Sequence, residues 1–164
     1  LVVTIGCGKK VDKPSHTTTT DFQEYLDQLP IRSNVPIIFE DRPDGVAGTC
    51  TKWSNGYRLI KIDPDYFNRV LNGHDSHKLE LLAHEIGHCD YDYGHNNNTF
   101  VNDDNVTCPV SVMYDTNFGS YCFDTYFDDY MSEFNDNTLQ QDIIVSYNSN
   151  EIPVESHVLI KEFE

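Results

Sequence analysis

The chain is short of positive charge. It carries 11 Lys and Arg against 27 Asp and Glu, a formal net charge of −16. A surface of that sign repels phosphate backbones and anionic headgroups, which argues against nucleic acid or a charged membrane surface as partner. No apolar run is long enough to span a bilayer. The hydrophobic fraction is only 38%, and ten Tyr and nine Phe supply much of it. At 164 residues the chain still suffices for one domain with its own core.

Against that background one stretch stands out, His84-Glu85-Ile86-Gly87-His88 followed by Gly94-His95. Histidines four apart on a helix lie one turn above each other on the same face. Two such imidazoles suit a tetrahedral zinc ion, and Glu85, one residue along, stands where a general base can reach water without binding the metal. A catalytic zinc takes three protein ligands and keeps one position open. His95 is the candidate third ligand. It is too far from His88 to share its turn, so the helix must stop and the chain fold back. Gly94 is suited to a left-handed residue at that reversal. Were His95 only a surface histidine, Asp92, Asp103 or Asp104 would take its place.

The motif resembles that of the metzincin metallopeptidases, HExxHxxGxxH followed by a turn carrying methionine under the zinc. His84, Glu85 and His88 match the first half, and Ser111-Val112-Met113-Tyr114 resembles the Met-turn. The family's glycine would fall on Tyr91 and its third histidine on Gly94. Here Gly94-His95 comes one residue late, as from a one-residue insertion (HExxHxxxxxxH).

The resemblance implies an α+β zincin fold: a small mixed sheet, an N-terminal helix, an active-site helix and a C-terminal helix. It implies one catalytic Zn2+ on His84, His88 and His95, with Glu85 as general base, Met113 beneath the metal and Tyr114 shaping the substrate pocket. The activity implied is hydrolysis of a protein or peptide by a monomer. In that family substrate pairs with an edge strand near the active-site helix, and the hairpin described below would hold it.

Five cysteines are present. Leu1 to Cys7 resembles the end of a bacterial lipoprotein signal, in which the cysteine becomes the lipidated residue. That reading places the protein in the bacterial cell envelope, touching membrane only through an anchor at Cys7, or else secreted. Cys50, Cys89, Cys108 and Cys122 then form an even set, which in an exported protein suggests two disulfides with three pairings open. Cys108 with Cys122 would tie down the Met-turn they bracket, and Cys50 with Cys89 would pin the active-site helix.

The expected organisation is a tether over 1–20, a peptidase domain over 21–137 and a tail over 138–164. Phe22, Tyr25, Leu26 and Leu29 recur at helical spacing, with Asp21 as cap and Pro30 as stop. Val35 to Glu40 reads as an internal strand. Val46–Trp53 and Tyr57–Asp63 read as a hairpin turning at Asn55-Gly56. Asp75 or Ser76 should cap the central helix, whose buried stripe is Leu79, Leu82, Ala83 and Ile86. Asn96 to Thr107 reads as a solvated loop, with Ca2+ the alternative because oxygen ligands are dense there. Phe123 to Phe134 reads as one amphipathic helix. Val158-Leu159-Ile160 would be an added strand, a partner-binding tail or a latency segment. The rival to a peptidase is a catalytically silent zinc module of the same fold that binds peptides. A non-peptidase zinc hydrolase is a further rival.

Overall fold

The computed structural model describes residues 20–135 and the backbone of 154–159. The anchor and tether readings at Cys7 and 8–19 lie outside the described residues, as does the rest of the tail. The architecture is a small mixed α+β domain. Short N-terminal turns (a 3-10 turn Thr20–Phe22 and α1, Gln23–Leu26) precede strands β1 (Ile37–Phe39), β2 (Val46–Lys52) and β3 (Arg58–Ile62). A π-helical turn over Tyr66–Val70 leads into the long central helix α2 (Asp75–Asp90). Beyond it come β4 (Thr99–Val101), β5 (Thr107–Pro109), α3 (Ser120–Thr125), α4 (Phe127–Ser132) and β6 (Val154–Leu159).

The main sheet runs in the order β1-β3-β2-β6. β3 pairs parallel with β1 and antiparallel with β2, and β2 pairs antiparallel with β6. The β2–β3 hairpin turns at Gly56, whose φ of +82° only glycine adopts without cost. The expected internal strand, β1, instead closes one end of the sheet. Its apolar character comes from facial packing: Phe39 lies against Phe22 and Phe67, with ring centroids 4.5 and 5.7 Å away.

Nearly all of α2 is buried from His77 to Cys89. The expected single stripe is therefore too narrow. The helix passes between the sheet and the α3 region, so apolar Leu81 is covered as well as Leu82, Ala83 and Ile86. No side chain caps its start; Asp75 lies inside the helix and its carboxylate accepts a hydrogen bond from the Tyr25 hydroxyl at 3.3 Å. That hydroxyl also accepts from the buried Lys78 ammonium at 3.0 Å, which lies over the Tyr25 and Phe67 rings. The N-terminal helix is shorter than expected, and Asp21 lies within the 3-10 turn instead of capping α1.

Two other expectations change. The Asn- and Asp-rich stretch is not a plain loop but a hairpin, β4–β5, turning at Asn105 with φ +60°. The single helix expected over 123–134 is two, broken at Tyr126 (φ −115°, ψ 25°), whose ring leaves the helical row to pack edge-on against Phe100 of β4.

Both disulfides form: Cys50–Cys89 joins β2 to α2, and Cys108–Cys122 joins β5 to α3. Two disulfides indicate an extracellular or otherwise oxidising compartment. Among the described residues no helix is long and apolar enough to cross a membrane.

Candidate metal centre

His84 and His88 project from the second half of α2, and His95 returns to them after the helix ends. The Nε2 atoms of His84 and His88 are 2.9 Å apart, and those of His88 and His95 are 3.0 Å apart. Their tautomers follow from their other nitrogens. His84 Nδ1–H donates to the Val112 carbonyl at 2.9 Å, and His88 Nδ1–H to the Tyr93 carbonyl at 2.7 Å. A carbonyl can only accept, so each of these two rings carries a proton on Nδ1 and turns its Nε2 toward the other. The lone pairs of neutral rings so placed repel unless a cation sits between them. The spacing is near the roughly 3.3 Å edge of a tetrahedron with arms of about 2.0–2.1 Å. Burial, then the neighbouring His88, hold the His84 pKa well below its usual value, which keeps that ring neutral. Among the described residues, these three are the grouping of His, Cys, Asp or Glu side chains whose ligand atoms converge, and they could hold a metal ion.

Three backbone devices hold the rings. The carbonyl of Val112 takes His84, and the next carbonyl, Met113, accepts from the Asn96 N–H at 2.9 Å, pinning the chain just after His95. Tyr93 folds back so that its N–H donates to the Gly87 carbonyl at 3.0 Å while its own carbonyl takes His88. The reversal that permits this lies at Asp92, with φ +58°, and not at Gly94. Asp92 is secured by Lys52 at 2.6 Å and Arg58 at 3.1 Å. Burial opposes its charge, but Lys52 and then Arg58 outweigh that and lower its pKa. Arg58 also donates to the Cys89 carbonyl, one of the acceptors a helix end leaves unpaired. Asp92 is thus committed to cations of the sheet, and neither it, Asp103 nor Asp104 joins the convergent group.

Glu85 lies on the same helix with its side chain fully buried, and neither carboxyl oxygen has a hydrogen-bond partner among the described residues. Burial pushes its pKa well above the ordinary carboxylate value, and the charge of Arg42 only partly offsets this. It faces β2 at Gly48, where an added methyl would come within 2.7 Å of Glu85 Oε1. Met113 is buried and packs its sulfur against Gly87 of α2. Tyr114 is half-buried, its ring edge-on to Phe118 at 6.3 Å. Two surface hollows, one bounded by Tyr25, Phe39 and Lys78 and the other by Val35, Tyr57 and Arg58, include none of these residues.

Glu133 escaped the sequence reading. Its carboxylate accepts from Ser111 Oγ at 2.6 Å and from the Val112 N–H at 3.3 Å, and its carbonyl accepts from the Tyr93 hydroxyl at 2.9 Å. One residue past α4 therefore clamps both segments that hold the histidines. The available signal was an acidic residue set between buried Met131 and Phe134, a costly position without partners.

The fold and this centre define a small, disulfide-linked α+β domain with a three-histidine group able to hold a metal ion. No family model, curated protein or solved structure matches the chain.

Proposed function

We propose that the protein is a zinc-dependent endopeptidase of metzincin type, and that the ion held by His84, His88 and His95 is Zn2+. The observation that carries the proposal is the pairing of two features: three imidazoles that converge, two of them from α2 and His95 from the chain beyond it, and on the same helix a buried carboxyl, Glu85, with no hydrogen-bond partner among the described residues. A purely structural metal site has no use for that second feature, which is costly to bury. Zinc would supply Lewis acidity there, polarising the scissile carbonyl and making water more acidic.

The chain's own residues do the rest. Glu85 takes a proton from water on its carboxylate and returns it to the leaving amine. Its raised pKa suits a group that must hold that proton between the two steps. Val112, Tyr93 and Glu133 hold the rings and the turn. Met113 packs beneath the helix that carries the ligands, and Tyr114 borders the substrate. The substrate is a protein or peptide, met as an exported monomer; lipidation at Cys7 would place it on a bacterial envelope.

The test is digestion of a mixed unstructured peptide library at millimolar concentration by zinc-loaded protein, read by mass spectrometry, with Glu85→Ala alongside. The proposal requires cuts by the wild type that the variant does not make. Zinc bound with no Glu85-dependent cut would leave the silent peptide-binding module as the better reading.

A further inference from the structure

Without β6, β2 would form the open edge of the main sheet. The order β1-β3-β2-β6 leaves it one neighbour, β3, and a free row of backbone donors and acceptors. That edge lies beside the candidate site. Gly48 of β2 abuts Glu85, and the Cys50–Cys89 disulfide locks β2 to α2 one residue beyond His88. β6 lies along this edge, antiparallel, from Lys52 opposite Val154 to Val46 opposite Leu159. Its Val158 stands opposite Gly48, the position that touches Glu85. The register slips there, between Val46 and Gly48, so that Ala47 is an extra residue on β2. Such irregularities re-aim a strand locally and are common beside active sites.

A sheet edge binds through main-chain hydrogen bonds, which any extended peptide can make. β6 pairs with β2 alone, touches α2 and ends the sheet, whereas β2 is also paired with β3 and bonded to α2 through a disulfide.

We infer that Val154–Leu159 is a resident, displaceable occupant of the β2 edge, holding the place that an extended peptide would take there. The inference rests on the peptidase reading for its consequence, since the docked strand lies where a substrate would, but not for its test. A tethered strand acts at an effective concentration on the order of millimolar, so a free peptide must bind better than that or wait for β6 to leave. The chain is therefore self-restrained.

The experiment uses the full chain with Ser156→Pro and His157→Pro together. Alternate residues of an antiparallel strand donate to a given neighbour, so two adjacent prolines must remove at least one ladder donor. Ser156→Ala with His157→Ala keeps both donors and serves as control. Three readouts are taken: exchange of the β2 amides, binding of a fluorescein-labelled, end-blocked peptide of sequence 154–159, and peptide cleavage. The inference predicts that the proline variant, still folded, exchanges alternate amides of Val46–Lys52 at least tenfold faster. It should also bind the peptide at micromolar concentration, where wild type and the alanine control do not. Cleavage at least tenfold faster than wild type would support both readings. Faster exchange and new binding without cleavage would uphold the docking edge and sink the peptidase. Unchanged exchange or unchanged binding overturns the inference. So does unfolding of the proline variant while the alanine control stays folded, because β6 would then be a structural strand.

Discussion

Met113 fills the space that a side chain at Gly87 would need. Its sulfur and terminal methyl lie against the Gly87 backbone, with the Phe134 ring 3.5 Å from where a Cβ would stand. Gly87 lies between Glu85 and His88, so the turn that receives His84 at Val112 is pressed directly against the helix that bears His84. Sequence spacing alone does not explain the glycine; the approach of Met113 does.

Gly87→Ala should therefore overpack this contact. The expected loss is about 1–3 kcal/mol of stability, the range for an extra carbon in a filled core, together with weaker metal binding. Urea unfolding followed by near-UV circular dichroism checks the first. Stability within error of wild type would show that Met113 yields freely.

Glu133 makes the clamp pH-dependent. Burial raises its pKa to about 7, against the lowering effect of its bonds from Ser111 and Val112. A carboxyl whose folded pKa exceeds its unfolded value of 4.5 contributes stability that is full below 4.5 and is lost as pH rises through about 7. Other groups titrate over this range, so the difference between wild type and Glu133→Gln isolates the effect. That difference should move in favour of the Gln variant between pH 4.5 and 8, measured by thermal unfolding. A difference independent of pH would mean that Glu133 does not titrate there.

The two disulfides should contribute unequally. Cys50–Cys89 spans 39 positions and Cys108–Cys122 spans 14. Chain entropy then predicts stabilisation of about 4 and about 3 kcal/mol. Replacing each pair by Ala should lower the melting temperature, more for Cys50/Cys89. Free thiols at Cys50, Cys89, Cys108 and Cys122 in the unreduced, denatured protein would remove the basis of the comparison.

Asp92 combines a left-handed backbone with two ion pairs, and substitutions separate them. Asp92→Gly keeps the conformation and loses the pairs with Lys52 and Arg58. Asp92→Ala loses both, so it should be the less stable of the two by about 1 kcal/mol. It should also bind metal more weakly, because this turn brings Tyr93 to His88. Equal melting temperatures would show that the turn does not depend on φ at this residue.

What was legible in the sequence was local. His84 and His88 announced a helix, Asn55-Gly56 a hairpin, and the even cysteine set a pair of bridges. The long-range choices were not legible. Gly94 looked like the reversal because glycine favours left-handed backbone. The turn formed at Asp92 instead, where Lys52 and Arg58, forty and thirty-four residues earlier, compensate an unusual φ. The row Phe123, Tyr126, Phe127, Tyr130 has the period of one helix. It breaks at Tyr126, whose ring packs on a strand that the polar composition of 96–107 concealed. The clamp by Glu133 depends on tertiary contact with Ser111, and no spacing rule points to it.

The measurement that tests the account most directly is zinc titration of the metal-free full chain by calorimetry, with His95→Ala and Glu85→Ala beside it. One ion should bind per wild-type chain and one to Glu85→Ala, and His95→Ala should bind more weakly by over about 100-fold, the upper figure for losing only a partner of a ligand. A wild type that binds no zinc, or a His95→Ala variant that binds it with undiminished affinity, would contradict the three-histidine centre.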